Sequence, residues 1–204
     1  MELTGELVRL APLAEHHAEA LRAIRSDPRV AEWWDELEPD FPLADEPEST
    51  RLTINHDGEI AGMVQFGEEL EPKYRHASID IFVAPAHQGR GVCTEAIKLV
   101  VDYLLTERGH HRITIDPAAH NAAAIACYSK AGFRPVGVMR LAERDADGQG
   151  WHDALLMELV IEPEQVPGLT PRLSVERPQE RDDAGSIPGV RERVRPRPGA
   201  AGRS

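Results

Sequence analysis

The sequence predicts an α/β domain: a mixed β-sheet with helices on both faces. Three observations predict it. Strand-like and helix-like segments alternate along residues 6–161 in the order β-α-α-β-β-β-α-β-α-β-β. Two neighbouring strand segments meet at Asp57-Gly58, a strong hairpin turn pair. The longest helical segment carries an apolar stripe along one side, which has to be buried against the rest of the fold.

The elements follow in order. Residues 6–13 (ELVRLAPL) read as the first strand. Residues 14–26 read as a helix with Leu21 and Ile24 on its apolar side, and residues 30–37 (VAEWWDEL) as a short second helix. Residues 38–48 are acidic and contain proline, as a loop does. Residues 50–56 (TRLTINH) alternate as a strand, and residues 59–66 (EIAGMVQF) return from the turn. In residues 77–83 (ASIDIFV), Ala77, Ile79, Ile81 and Val83 fall on one face, with Asp80 and Phe82 on the other. The long helix covers residues 91–107. Its stripe is Ile97, Val100, Val101, Leu104 and Leu105, and Gly109 ends it. Residues 112–116 (RITID) form another strand. Asn121 caps a helix over 122–130, with Gly132 at its stop. Residues 137–141 and 154–161 are two final strands around a turn at Asp147-Gly148.

Charge and composition bound the function. The 204 residues carry a net charge of −12, with 41% hydrophobic and 5% aromatic residues. Residues 165–204 hold eight arginines, five acidic residues, six prolines and five glycines, with isolated apolar residues. Such a segment cannot bury enough surface to offset its ordering entropy, and reads as a disordered tail. It is +3, so residues 1–164, the folded domain, carry −15. A body this acidic does not suit a nucleic-acid backbone; it suits a cationic small molecule. No apolar run is long enough to span a membrane, and residues 1–4 do not open a signal peptide. Two cysteines make no disulfide framework, and no His/Cys cluster has zinc spacing. The expectation is a soluble, cytoplasmic, metal-free protein, with monomer and homodimer both open.

The segment Val83-Ala84-Pro85-Ala86-His87-Gln88-Gly89-Arg90-Gly91-Val92-Cys93 joins a strand end to the long helix through a Gly-rich loop. Such a junction presents free backbone N–H groups and the positive end of the helix dipole, an anion site suited to phosphate or pyrophosphate. A dinucleotide fold needs a third glycine where Thr94 stands, and a nucleotide P-loop needs Gly-Lys-Ser/Thr. What remains, Gln88-x-x-Gly91-x-Cys93, resembles motif A of the GCN5-related N-acetyltransferases (Q/R-x-x-G-x-G/A). The resemblance implies that Gln88, Gly89, Arg90, Gly91, Val92, Cys93 and Thr94 hold the pyrophosphate of acetyl-coenzyme A. Cys93 departs from the usual Gly or Ala but is small enough for close approach.

Residues 116–133 (DPAAHNAAAIACYSKAGF) resemble motif B of the same family, N-x-x-A-x-x-x-Y-x-K-x-G-F. Asn121 and Tyr128 are seven apart and so share a helix face. The resemblance implies that Asn121 binds the pantetheine arm and that the Tyr128 hydroxyl donates a proton to the leaving thiolate. The plainer alternatives are an N-cap and a core aromatic. Over residues 5–162 the resemblance implies a sheet whose strands 77–83 and 112–116 run parallel and splay apart. The thioester enters that gap, and the backbone at Phe82 and Val83 pairs with the pantetheine. An amine then attacks the thioester directly, with a backbone N–H near Val83 stabilising the oxyanion.

For the acceptor, Glu32-Trp33-Trp34, Ile79-Asp80, residues 115–121 and the stretches GVMR and GWHDALLM resemble aminoglycoside 6′-N-acetyltransferases. This implies that Asp80 takes the ammonium proton, that Asp116 contacts the substrate, and that Trp34 and Asp35 belong to the same pocket. A polycation needs several carboxylates, since each ammonium is costly to desolvate unpaired. Glu36, Glu68, Glu69 and Glu71 add to the supply, the last three as a solvated rim rather than as individual ligands. Of Trp33 and Trp34, one reads as core and one as pocket wall. His110, His111 and His152 read as surface or sheet-end residues. The same chemistry on a protein N-terminus, a polyamine or a siderophore hydroxylamine stays open, as does a non-catalytic coenzyme A-binding domain. The intact Asn121/Tyr128 pair argues against the last.

Overall fold

In the strand His76–Val83, Ala77, Ile79, Ile81 and Val83 enter one apolar cluster, while Phe82 enters a second on the opposite face. A strand that buries side chains on both faces has to be covered on both. The computed structural model describes residues 1–161 except positions 45 and 147. The strands are Leu3–Thr4 (β1), Val8–Pro12 (β2), Ser49–His56 (β3), Glu59–Glu69 (β4), His76–Val83 (β5), Arg112–Ile115 (β6), Arg134–Arg144 (β7) and Trp151–Val160 (β8). The helices are Ala18–Arg25 (α1), Pro28–Ala31 (α2), Val92–Thr106 (α3) and Ala122–Lys130 (α4).

The sheet order is β1-β2-β3-β4-β5-β6-β8-β7, antiparallel throughout except for the parallel pair β5–β6. On one face α3 buries Val92, Ala96, Ile97, Val100, Val101 and Leu104. On the other, Leu21 of α1 and Val30 of α2 pack with Met63 and Phe82. Each such aliphatic side chain contributes about 1.5–3 kcal/mol. The Glu95 carboxylate, in the first half of α3, accepts the backbone N–H groups of Glu6, Leu7 and Val8 at 3.0, 2.7 and 2.7 Å, which fastens the start of the chain to this helix.

The splayed gap is present. β5 and β6 pair only at Ala77–Ile113 and Ser78–Thr114; beyond these the two strands part. β4 slips one residue in its pairing with β3 between Ile54 and Asn55, which places Ala61 and Gly62 in a bulge. Gly62 is required there. A Cβ on it would lie 2.1 Å from the Phe82 carbonyl oxygen.

Some elements differ from expectation. The helix expected over 30–37 is the single turn Pro28–Ala31, capped by Asp27, whose side chain accepts the Arg29 N–H. The apolar pattern beyond it is spent on separate contacts of Trp33 and Trp34 rather than on one helical face. The first helix starts later, behind a 3-10 turn at Glu15–His17. The final hairpin is longer at its turn end, because a bulge between Met139 and Glu143, with Leu141 at φ 50°, lets β7 rejoin β8 at Glu143–His152 and Arg144–Trp151. The expected tail, residues 165–204, and Asp147 of the expected turn lie outside the described residues.

Candidate active site

The loop after β5 is fastened at three points. The Gln88 Nε2 donates to the Val83 carbonyl at 2.9 Å. His87 and the β3 residue His56, both buried, meet Nδ1 to Nδ1 at 3.0 Å. Arg90 pairs with Asp57 of the hairpin turn at 3.1 Å, out in solvent. Gly89 and Gly91 have φ of 71° and 88°, a region that other residues rarely adopt. The missing Cβ of Gly89 faces open space. Gly91 is the N-cap of α3, and no side chain caps the helix. Its first N–H groups, those of Val92, Cys93 and Thr94, therefore remain for a ligand. The Val92 side chain is buried in the core, so only its backbone can serve. The nearest carboxylate of α3, Glu95, is turned away onto residues 6–8. An uncapped helix end beside two left-handed glycines fits an anionic diphosphate.

In the gap, the edge of β5 that faces away from β4 has no strand partner from Ile79 to Val83. Across it, Asn121 caps α4 by accepting the Ala124 N–H at 3.0 Å, and its amide nitrogen remains for a ligand. Tyr128 is 7% exposed. Among the described residues its hydroxyl has no hydrogen-bond partner. Burial raises the Tyr128 pKa well above that of an ordinary phenol, and the neighbouring Cys93, Cys127, Asp80 and Asp116 raise it further. Tyr128 therefore stays protonated at neutral pH, as a proton donor must.

Three carboxylates share one electrostatic neighbourhood. Asp80 and Asp116 reach solvent, yet the surrounding protein strips enough water that desolvation is the largest influence on both, and both pKa values rise. The charges of Asp116 and Glu143 push Asp80 up further, while its contact with the Gln65 amide, 3.4 Å away, pulls it down. Glu143 also touches His152 Nε2 at 3.0 Å, and Asp145 holds His152 Nδ1 at 3.0 Å.

The aromatic wall resolves the tryptophan pair. Trp34 packs edge-on against Phe82 at 5.5 Å and carries the buried Arg25 guanidinium 4.9 Å above its ring. Trp33 reaches His120, whose ring lies 5.5 Å from His152. A recess of about 340 Å³ is lined by Arg25, Trp34, Asp35 and Ala146 among others. Asp35 is exposed, and its carbonyl accepts Arg25 Nη2 at 2.9 Å.

The structure thus brings Asp80, Asp116 and Tyr128 together and sets Trp34 against Phe82. It does not bring Glu68 to the cleft. Glu68 binds Arg108 and His110 at 3.0 and 2.7 Å, opposite Ala77, whereas the cleft end of the same strand lies opposite Val83. Asp80 in the cleft lies opposite Gln65, three residues of strand from Glu68, about 10 Å. The sequence pattern singled out none of Glu143, Asp145 and His120, and His152 read as a surface or sheet-end histidine. Glu143 and His152 are cross-strand partners only through the β7 bulge, which leaves no pattern in the sequence.

The sequence model of the Acetyltransferase (GNAT) family matches residues 11–133. The chain is 30% identical over 139 residues to the spermidine N(1)-acetyltransferase of Escherichia coli K12, covering 64% of this chain and 74% of that protein. It is 28% identical over 159 residues to an aminoglycoside N(6′)-acetyltransferase type 1 of Klebsiella pneumoniae, covering 67% and 78%. Among solved structures, the spermidine N-acetyltransferase of Vibrio cholerae in complex with CoA and spermine superposes with a TM-score of 0.66 at 19% identity, over 76% of this chain and 96% of that one. An acetyltransferase (GNAT family) from Bacillus anthracis superposes with a TM-score of 0.69 at 18% identity, over 78% and 98%. The chain belongs to the GNAT acetyltransferase family and is an N-acetyltransferase with acetyl-coenzyme A as its co-substrate.

Proposed function

We propose that the acceptor is a small polycationic amine, with the 6′-amine of an aminoglycoside as the leading candidate. The observation that carries this is the trio Asp80, Asp116 and Glu143. The charges of Asp116 and Glu143 push Asp80 upward, and among the described residues no lysine or arginine forms an ion pair with any of the three, although Glu143 meets His152 at 3.0 Å. Carboxylates that lack a lysine or arginine partner and repel one another are stabilised by an incoming ammonium group.

In this reading each residue has a defined task. The uncapped N-terminus of α3, Gly89 and Gly91 hold the pyrophosphate, and Gln88 keeps that loop aligned with β5. The free edge of β5 and the Asn121 amide hold the pantetheine arm. Asp80 takes the proton of the ammonium group, directly or through a water, and frees the amine nitrogen to attack the thioester carbonyl carbon. As the C–S bond breaks, Tyr128 gives its proton to the sulfur, the nitrogen releases its second proton to water, and Tyr128 later recovers one from solvent. Asp116 and Glu143 hold the remaining positive charges of the acceptor, and Trp33, Trp34 and Asp35 line its approach.

A second acceptor, a linear polyamine, is favoured by the 30% identity to a spermidine acetyltransferase. Thiol release from acetyl-coenzyme A separates the readings, measured against aminoglycosides, polyamines and peptides with free N-termini. Turnover confined to aminoglycosides supports the leading candidate, and turnover confined to spermidine-like amines selects the second. Turnover on peptides alone, or cofactor binding without turnover on any acceptor, overturns the polycation reading.

A further inference from the structure

Cys93 and Cys127 are the chain's two cysteines, 34 positions apart. The fold sets the first turn of α3 against the second half of α4, and the two sulfurs lie 2.7 Å apart without a bond between them. That is about 0.7 Å longer than a disulfide. Thr94 Oγ1 lies 3.3 Å from the Cys127 sulfur, beside the uncapped N-terminus of α3. Helix N-termini and hydrogen-bond donors stabilise a thiolate. Accordingly, the hydrogen bond shared with Cys93 lowers the Cys127 thiol to about 7, helped by Thr94 and Lys130. The same contact and burial push Cys93 upward. Neither sulfur has a task in the acetyl transfer described above.

We propose that Cys127 and Cys93 form an oxidative modification site, which a peroxide converts into an intramolecular disulfide. The Cys127 thiolate attacks one peroxide oxygen; the O–O bond breaks, the sulfur becomes a sulfenic acid, and the second oxygen leaves as water. The Cys93 sulfur then attacks the Cys127 sulfur, loses its proton and expels the hydroxyl as a second water. Two thiols and one hydrogen peroxide give one disulfide and two waters, with two electrons passing from sulfur to oxygen. The new bond joins the turn that carries the free N–H groups of α3 to the helix that carries Asn121 and Tyr128. That consequence rests on the cofactor placement proposed above; the bond itself does not.

The test uses the full chain, reduced and then exposed to a stoichiometric excess of hydrogen peroxide. Intact mass is expected to fall by two hydrogens, both thiols to become inaccessible to alkylation after denaturation, and peptides bearing Cys93 and Cys127 to appear linked. Closing a loop of this length raises Tm by about 5–15 °C, reversed by dithiothreitol. A Cys93→Ser variant retains a trappable sulfenic acid on Cys127 and shows no rise in Tm. Thiols that stay alkylatable, cross-linked dimers in place of the internal link, or sulfinic acids on both cysteines would overturn the proposal, whether or not acetyl transfer proceeds as described.

Discussion

The Gln88 side-chain amide donates to the Val83 carbonyl at 2.9 Å, so the loop that opens α3 and the last residue of β5 move as one unit. One of the three fastenings of that loop thus joins the two halves of the proposed cofactor cradle directly. Gln88→Leu keeps the volume and removes the donor. One such bond is worth about 1.4 kcal/mol, or a tenfold change. KM for acetyl-coenzyme A is expected to rise about tenfold with kcat within about threefold, read from steady-state thiol release.

Gly62 has no room for a side chain against the Phe82 carbonyl. Gly58 has φ 81° but open space around it, so it isolates backbone strain from collision. Gly58→Ala is expected to cost about 1 kcal/mol, and Gly62→Ala about 2–4 kcal/mol because β4 and β5 have to separate. Urea unfolding of the two variants measures the difference. Equal losses would show that the bulge tolerates a wider spacing.

Tyr128→Phe removes the hydroxyl and preserves the packing of α4. Turnover is expected to fall about 10²-fold or more with little change in KM for acetyl-coenzyme A. Because the Tyr128 pKa is raised, the alkaline limb that this residue sets in the wild-type profile lies above the ordinary phenol value, and the variant loses that limb. A pH–kcat series records both effects.

Desolvation raises Asp80, and so do the charges of Asp116 and Glu143. As the proposed base, Asp80 would work above its pKa, so the acidic limb of kcat/KM is expected above the usual carboxylate range. Removing the Glu143 charge removes one upward push, and Glu143→Gln moves that limb to lower pH. Stability follows the same sign. A carboxyl whose folded pKa exceeds its unfolded value is destabilising when ionised, and that cost disappears as pH falls through the folded pKa. Asp80→Asn is therefore expected to leave Tm at pH 7 unchanged or higher, while turnover falls.

Much of the cofactor side was legible in the sequence because its determinants are local. The alternation in 77–83, the two glycines before the stripe of α3 and the Asn121 cap each lie within one element, and each appears where expected. The acceptor side was less legible because its contacts join distant elements. Glu68 looked like a free carboxylate until Arg108 and His110 closed on it from the far end of α3. Trp33 and Trp34 read as one core and one wall residue on a short helix, but both are half-buried and serve His120 and Phe82 separately. Glu143 reaches His152 only because β7 bulges at Leu141, and a bulge changes which side chains face the cleft without changing composition.

On the proposed reading, Asp80, Asp116 and Glu143 receive a cationic acceptor. The direct measurement is kcat/KM for the preferred polycationic amine in the double variant Asp116→Asn/Glu143→Gln, with KM for acetyl-coenzyme A followed alongside. Losing two charge contacts to the acceptor, of about 1.5–3 kcal/mol each, predicts a fall of at least about 10²-fold, with the cofactor KM within about twofold of wild type. An acceptor kcat/KM that stays within about threefold of wild type would contradict it.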